Sequence, residues 1–382
     1  MNKKIKILSI AQCLVKQNNN WINNEYVFNR HKTIEQSNLF DLTIFDTSQI
    51  SIEFESNKLE NNLLNILKNY YFDVIHIEIN KPLHSNTYKN TFGLNFLKYI
   101  KNKYSSKLIF IWGDCQIPLF KVNIDKLSNI SDLNIITSSF FLKSFNQKKN
   151  IYLYDPIENS FIYDKDKKEI DVLYIGQFKP ERINFLFALE SHLKNKKNYN
   201  YLFSSKTKNF IDYKKYYELY RKSKIIINFS RTIFNLSVLN GRALQTTMSN
   251  SLFLEQISDI TPYYFIPYKE YIPFRSPQDL IKKIDYFLIN EEERKKISYN
   301  AYNKSINFYN SRNYWKNILY KLYPDIILDK INTENDYQYK SVSYYRSCAN
   351  FKLIDIFFII KIKIWSFFIR IIYSILERKY PE

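Results

Sequence analysis

Glycine and cysteine are scarce in this chain, and the short motifs of several large protein classes are missing. Of its 382 residues, 4 are Gly and 3 are Cys. The patterns GxxxxGK[ST] and GxGxxG are absent, which argues against a Walker-type nucleoside triphosphatase and a dinucleotide-binding enzyme. Cys13, Cys115 and Cys348 are far apart and odd in number, which favours a reducing compartment over a disulfide framework. We therefore expect a cytoplasmic protein.

Long uncharged apolar runs are also lacking. The N-terminal run covers only residues 5–10, which is too short for a signal peptide. Residues 351–377 are strongly apolar, but charged residues interrupt them repeatedly. A membrane-spanning helix needs roughly 20 consecutive, mostly apolar residues, and this segment has no such run. At helical spacing most of their polar residues fall on one narrow stripe. The pattern predicts an amphipathic helix, which either lies on an anionic membrane surface or packs back on the N-terminal domain.

The basic excess narrows the choice of partners. The formal net charge of +19 attracts nucleic acid, an anionic membrane or a phosphate-bearing substrate through the same long-range field. Zinc-finger spacing, an RNP-like aromatic motif and a dense basic run are all absent from the sequence. We therefore expect no nucleic-acid partner and favour a phosphate-bearing ligand or an anionic membrane.

Apolar runs alternate with amphipathic stretches along most of the chain, a pattern typical of parallel strands covered by helices. Such a chain exceeds the usual size of one hydrophobic core, so we expect two α/β domains. The polar segment 155–169 is the expected linker. The predicted organisation is an N-terminal Rossmann-like domain at 1–160, a C-terminal one at 161–324, a tether at 325–350 and the amphipathic helix at 351–382.

Several glycines follow predicted strands or begin predicted helices, where open α/β sheets bind ligands. Gly113 follows the run IFIW, Gly176 follows DVLYI, and Gly241 precedes Arg242. Each is either a ligand contact or a turn that requires positive φ. In DVLYIGQFKPER the helix start also carries Arg182, so backbone amides and a guanidinium are expected to face an anion, unless Arg182 is only a solvated first-turn residue.

A second dense segment is NGRALQTTMSNSLFLEQ. Asn240 is the expected N-cap, and Arg242 lies in the first helical turn, where the helix dipole disfavours a cation unless a ligand needs it. The alternative is an ion pair between Arg242 and Glu255 or Asp259. Together, Arg182 and Arg242 are expected to neutralise the charge of a leaving diphosphate.

These motifs, with PYKEYIPFRSPQDLIKKIDYFL after them, resemble the C-terminal domain of the CgeB-like glycosyltransferases, a GT-B group related to glycosyltransferase group 1. The resemblance covers about residues 171–310. It implies a metal-independent enzyme with no cofactor, a nucleotide-sugar donor on the C-terminal domain and an acceptor on the N-terminal domain. Arg242, Gln245 and Glu270 occupy motif positions of the family. Gln245 replaces a Glu that contacts the donor ribose, and Asn250 replaces the usual Gly after that helix.

An inverting enzyme also requires a general base, which is expected from the N-terminal half. The candidates are His31, His76, Glu78 and Asp114, of which Asp114 is best placed because it follows a strand end. A buried capping role for Asp114 and a core position for His76 are the alternatives. The Asp164-Lys165-Asp166 triplet matches a metal-binding DxD, but its charged surroundings indicate a solvated linker.

The residues therefore predict a GT-B glycosyltransferase, hexosyltransferase-like, that acts on a surface-polysaccharide or lipid-linked acceptor at the inner face of the plasma membrane. Asp114, Arg182 and Arg242 are its predicted catalytic residues, and Gly113, Gly176, Gln245 and Glu270 its predicted substrate contacts. The alternative is a catalytically silent GT-B-like module that binds a glycan or a nucleotide and docks to a membrane partner.

Overall fold

The computed structural model describes most of the chain as far as residue 326. The described residues are 4–11, 13–17, 20–23, 27–48, 56–79, 92–112, 127–137, 149–196, 198–204, 211–230, 239–258 and 260–326. They form two compact units: the first runs to Asn159 and resumes at Asn307, and the second is Ser160–Ile306. The predicted tether beyond residue 326 and the predicted helix at 351–382 lie outside the described residues.

The first unit is built on a parallel sheet. Its strands are β1 (Ile5–Ala11), β4 (Phe40–Asp46), β5 (Val74–Ile79), β6 (Lys107–Trp112), β7 (Leu133–Ile136) and β8 (Asn150–Tyr152), and β2 (Leu14–Gln17) and β3 (Asn20–Asn23) form a separate antiparallel hairpin. The helical segments are a π-helical turn (Val27–Lys32), α1 (Thr33–Ser37), α2 (Ser56–Asn69) and α3 (Leu94–Lys103). The spatial order is β4-β1-β5-β6-β7-β8. Apolar residues of the central strands and of α2 and α3 form one buried core.

Within its described residues, the second unit repeats this arrangement with five parallel strands. They are β9 (Ile170–Ile175), β10 (Tyr201–Ser204), β11 (Ser223–Asn228), β12 (Leu252–Gln256) and β13 (Ile272–Phe274). The helices are α4 (Pro180–Asn195), α5 (Tyr213–Arg221), α6 (Gly241–Met248), α7 (Thr261–Tyr264), α8 (Pro277–Ile289) and α9 (Glu291–Phe308). The spatial order is β10-β9-β11-β12-β13.

Both sheets reverse their strand order at one place. Counted in chain order within each sheet, the first five strands are arranged 2-1-3-4-5 in both units. The reversal lies between β1 and β5 in the first unit and between β9 and β11 in the second. Such a switch point leaves a crevice at the carboxyl ends of its strands, where open α/β sheets bind ligands. Each unit is therefore a Rossmann-like domain with one preferred position for a site.

The last described helix, α10 (Ser311–Leu322), belongs to the first unit and not to the second. Trp315 donates a hydrogen bond from Nε1 to Thr33 Oγ1 at 3.2 Å, and its ring lies edge-on to Phe40 with centroids 5.5 Å apart. The break near residue 160 falls inside the predicted linker. The predicted second domain, 161–324, nevertheless extends too far, because apolar residues of α10 are buried against the first unit.

Two helices of the second unit begin where the sequence predicts. The first, α4, begins at Pro180 and has Arg182 in its first turn, and α6 begins at Gly241, directly after the expected N-cap residue Asn240. The run YYFIPY is occupied by α7 and a turn, and the next strand begins at Ile272. Asn250, which stands where the family usually has Gly, has a φ of 50°, a left-handed conformation that Asn tolerates better than most residues.

Candidate functional site

The structure brings Gly176 and Arg242 into direct contact at the carboxyl edge of the second sheet. Gly176 follows β9, and Arg242 is the second residue of α6. Arg242 Nη1 donates to the carbonyl oxygen of Ile175 at 3.2 Å. A Cβ atom on Gly176 would lie only 2.3 Å from that same Nη1. A side chain at position 176 would therefore displace the end of the Arg242 side chain.

Arg182 lies at the switch point of the same sheet. It belongs to the first turn of α4, and only 5% of its surface is exposed. Its guanidinium donates to Tyr174 Oη at 3.5 Å and to the carbonyl oxygen of Phe229 at 3.4 Å, so it bridges the ends of β9 and β11. Its buried Nε has no hydrogen-bond partner among the described residues. The alternative of a solvated first-turn residue is therefore wrong for Arg182.

Glu255, at the end of β12, is a member of this site that the sequence prediction treated only as a possible partner of Arg242. Its carboxylate accepts hydrogen bonds from Asn228 Nδ2 at 2.8 Å and from the amide of Ser230 at 2.9 Å. Burial raises the pKa of Glu255 to about 7, although these hydrogen bonds and the nearby Arg242 lower it. A carboxylate that ends an otherwise apolar strand was the available sequence signal.

Asn240 occupies the expected N-cap position of α6, but its side chain does not cap the helix. Its Nδ2 donates to Asn228 Oδ1 at 3.2 Å, and Asn228 Nδ2 donates back to Asn240 Oδ1 at 3.0 Å. The paired amides hold the start of α6 against the end of β11. The start of α4 meets the end of β9 through Arg182, so two helix N-termini and two guanidiniums lie along one sheet edge.

Gln245 and Glu270, two of the predicted substrate contacts, form hydrogen bonds with other groups of the second unit. Gln245 is buried, and its Oε1 accepts a hydrogen bond from Tyr216 Oη of α5 at 3.0 Å. Glu270 Oε2 accepts from the amide of Ile266 at 2.7 Å and pairs with Lys304 Nζ at 3.2 Å. Because Glu270 precedes β13, the parallel register places it toward the amino ends of the strands. The structure therefore does not bring Glu270 to Arg242, contrary to the prediction.

The structure describes the predicted DxD-like triplet but not the predicted site residues Gly113 and Asp114. Gly113 and Asp114 lie outside the described residues, so the prediction for them stands as made. In the Asp164-Lys165-Asp166 triplet, Asp164 is exposed, whereas Asp166 forms an ion pair with Arg221 Nε at 2.8 Å. The triplet is thus only partly solvated, because one carboxylate is held by the second unit's own arginine.

The switch point of the first unit holds a different polar cluster. Ser9 of β1 and His76 of β5 are register neighbours. Ser9 Oγ lies 2.8 Å from His76 Nδ1 and 3.0 Å from His31 Nε2, so its hydroxyl bridges the two rings and, with a single proton, donates to at most one of them. Burial lowers the pKa of His31 to about 4 and that of His76 well below its usual value. Both rings are therefore neutral near pH 7.

Arg30 and Glu78 complete this first-unit cluster. Both side chains are almost fully buried, with Arg30 Nε 3.7 Å from Glu78 Oε1. Arg30 Nη2 donates to Asp155 Oδ1 at 2.8 Å. Burial raises the pKa of Glu78 to about 7, although Arg30 opposes the shift. Three of the four general-base candidates, His31, His76 and Glu78, are therefore close together, whereas no sequence motif had pointed to Arg30.

Two further features are absent from the described part of the chain. Within it, no group of three or more His, Cys, Asp or Glu side chains is arranged to hold a metal ion. Helices long and apolar enough to cross a membrane are likewise absent from the ranges given above.

Comparisons with known proteins agree with this architecture. Residues 167–320 match the profile of the family described as glycosyl transferase-like. A glycosyltransferase from Rickettsia africae superposes with a TM-score of 0.57 at 14% identity, covering 85% of this chain and all of the other. Sucrose-phosphate synthase from Thermosynechococcus elongatus has a TM-score of 0.55 at 9% identity, with 83% and 98% of the two chains covered.

A third solved structure was determined with ligands. HepE of Anabaena, in complex with UDP and glucose, superposes with a TM-score of 0.52 at 10% identity, covering 82% of this chain and 98% of HepE. No curated protein matches the sequence. At these identities the solved structures establish the fold alone. The predicted resemblance to glycosyltransferases is confirmed by the match of residues 167–320 to the glycosyl transferase-like family, and the chain has the GT-B fold of two Rossmann-like domains.

Proposed function

We propose that this protein transfers a sugar from a nucleotide-sugar donor and binds the donor diphosphate at the second unit's switch point. The observation that carries the proposal is the guanidinium of Arg242 lying against Gly176. The glycine removes the side chain that would separate the cation from the strand end. A diphosphate can then approach both the backbone and the positive charge.

The surrounding groups suit the charge that develops during transfer. As the sugar leaves, negative charge accumulates on the diphosphate, and preorganised donors in a water-poor site stabilise it. Arg182 and Arg242 supply guanidiniums, and the starts of α4 and α6 supply the positive ends of two helix dipoles. We propose that these groups, rather than a divalent metal, neutralise the leaving diphosphate. HepE, which has the same fold, is known in complex with UDP and with UDP-glucose.

The test compares nucleoside diphosphates with nucleosides. Arg242→Ala is expected to weaken binding of UDP or GDP by about 10- to 100-fold, the loss of one charge-assisted contact, while uridine or guanosine binding changes little. Arg221→Ala is the matched control, because Arg221 lies in the same unit but pairs with Asp166. Equal losses for the nucleoside and its diphosphate would show that Arg242 does not contact phosphate.

Gln245 supports a second candidate function, a catalytically silent module that binds a nucleotide or a glycan. The amide replaces the family's ribose-binding Glu, and its oxygen already accepts from Tyr216. A silent nucleotide-binding module would bind nucleoside diphosphate as the enzyme does, so binding alone cannot separate the two candidates. A screen that measures nucleoside diphosphate released from nucleotide sugars can separate them. Only the enzyme releases it, either by transfer to an acceptor or by slow hydrolysis.

The acceptor and the location of the protein belong to the same proposal. We propose a surface-polysaccharide or lipid-linked acceptor, Asp114 as a catalytic residue, and docking of residues 351–382 on the anionic inner face of the plasma membrane. The composition of that segment supports the docking, with six Lys or Arg against three acidic residues from 351 to 382. Truncation after Tyr323 is expected to abolish flotation with anionic liposomes. Unchanged flotation would mean that the segment does not hold the protein on membranes.

A further inference from the structure

The end of β11 is in contact with both helices that carry the arginines of the second-unit site. The carbonyl oxygen of Phe229 accepts a hydrogen bond from Arg182 of α4 at 3.4 Å. The same oxygen accepts from Asn240 Nδ2, at the start of α6, at 3.5 Å. Asn228, the last residue of β11, exchanges two further hydrogen bonds with Asn240. The placement of both helix starts therefore depends on the segment 228–230.

Glu255 of the neighbouring strand β12 holds this segment at both ends. It is the register partner of Asn228. Its Oε2 accepts from Asn228 Nδ2 at 2.8 Å, and its Oε1 accepts from the amide of Ser230 at 2.9 Å. The side chains of Glu255 and Asn228 are almost fully buried, so water competes little for these hydrogen bonds. Each carboxylate oxygen thus fixes one end of the segment.

A carboxylate fits this position better than its amide. Both groups that face Glu255 are donors, and one of them is a backbone N–H that cannot be turned. A glutamine offers one acceptor oxygen and one NH₂ donor, so a donor would then face a donor. Asn228 cannot turn its own amide freely, because Asn240 is bonded both to it and to the carbonyl of Phe229. The uncharged isostere therefore loses one of the two hydrogen bonds.

We propose that Glu255 is a positioning residue of the donor site: by holding the end of β11, it sets where the guanidiniums of Arg182 and Arg242 lie. Arg182 is bonded to the segment directly. Arg242 follows two residues after Asn240, so it moves with the start of α6. The benefit for donor binding rests on the proposed function, whereas the positioning itself does not. A carboxyl group that only stabilises the sheet is the competing interpretation.

The first experiment observes the arginines without any ligand. The full chain is labelled with ¹⁵N-arginine, and the Nε–H signals of Arg182 and Arg242 are assigned by comparison with Arg182→Lys and Arg242→Lys. Spectra are recorded at about pH 8, above the pKa of about 7 of Glu255, so that the carboxyl is mostly ionised. Glu255→Gln is expected to shift both arginine signals relative to wild type.

Asp171→Asn is the matched control in the same sheet. Asp171 is a buried carboxylate near the amino end of β9, away from the strand ends that form the site. Like Glu255, it accepts from a backbone amide, that of Asn200 at 2.8 Å, and from a side chain, that of Lys224 at 2.6 Å. Asp171→Asn is expected to leave both arginine signals unchanged, even where it lowers stability.

Asn240→Ala tests one branch of the network and replaces Glu255→Gln should that variant fail to fold. Asn240 connects the segment to α6 but not to α4. Its replacement is therefore expected to shift the signal of Arg242 and to leave that of Arg182 in place. Arginine signals that stay at their wild-type positions in the folded variants, or that shift equally in Asp171→Asn, overturn the proposal and leave a purely structural carboxyl.

Affinities for UDP and GDP, measured on the same samples, separate this inference from the proposed function. Glu255→Gln is expected to weaken nucleoside diphosphate binding about tenfold and to change uridine or guanosine binding little, because the change acts through the arginines. Asp171→Asn is expected to bind as wild type. Shifted arginine signals in a protein that binds no nucleotide would refute the donor site alone. Nucleotide binding of wild-type strength in Glu255→Gln would refute the positioning role and leave the donor site intact.

Discussion

The two units share one strand order but carry opposite kinds of polar cluster at their switch points. In the second unit two arginines meet the strand ends, and the neighbouring carboxyl of Glu255 has its pKa raised by burial to about 7. In the first unit Arg30 lies between Glu78 and Asp155, beside two neutral histidines. The second cluster therefore concentrates positive charge at its sheet edge, whereas the first balances its guanidinium with two carboxylates.

This difference shows which part of a site the topology supplies. Reversal of the strand order opens a crevice at the carboxyl edge of either sheet. The side chains that reach this edge decide the ligand, and they come from different elements in the two units. In the second unit helix starts supply the cations, whereas in the first unit the π-helical turn and the interior of β1 and β5 supply the cluster.

Ser9→Ala is expected to have the largest effect on stability, because one hydroxyl serves two buried rings. Its loss leaves His31 Nε2 and His76 Nδ1 without their shared partner and lowers the free energy of unfolding by about 2–5 kcal/mol. Urea denaturation measures the change. Ser298→Ala in α9, which removes a hydroxyl bonded to the Arg294 carbonyl, is the control and is expected to cost about 1 kcal/mol. Equal costs would mean that the Ser9 bridge adds nothing.

Glu255→Gln is expected to change how stability depends on pH. The pKa of Glu255 is about 7 in the folded protein and near 4.5 in the unfolded chain, so the folded state binds more protons between these values. Its contribution to stability is therefore complete below pH 4.5 and is lost as the pH rises to 7, on the order of 3 kcal/mol. The variant lacks this loss, so its stability relative to wild type should rise from pH 5 to pH 8. A constant difference would refute the raised pKa.

Gly176→Ala is expected to affect binding more than folding. The new methyl displaces the end of the flexible Arg242 side chain and crowds Tyr174 Oη, which would lie 2.9 Å away. Calorimetry should show UDP or GDP affinity reduced about tenfold or more, with a stability cost of about 1–2 kcal/mol. Gly93→Ala in the first unit is the control, since its nearest neighbour, Glu60 Oε1, is 3.5 Å away. Wild-type affinity in Gly176→Ala would mean that the guanidinium position is unimportant.

Local patterns in the sequence predicted much of the fold and part of the second-unit site. Continuous apolar runs marked the buried strands, because parallel strands covered on both faces have few polar positions. Gly176, Arg182 and Arg242 were predictable because each lies next to a strand end or a helix start. The apolar-run pattern did not predict β4, because this edge strand mixes exposed and buried positions. It did not place α10 in the first unit either, because that placement depends on contacts with residues far away in the sequence.

The sequence by itself therefore determined two Rossmann-like domains, a basic protein and a resemblance to glycosyltransferases, all of which depend on neighbouring residues. Only the tertiary structure decided that Gly176 touches Arg242, that Glu270 lies away from them, and that Arg30 meets Glu78 and Asp155. These contacts join residues far apart in the chain. Their chemistry arises from burial, which strengthens charge interactions and leaves polar groups in need of a partner, and burial exists only once the sheets have formed.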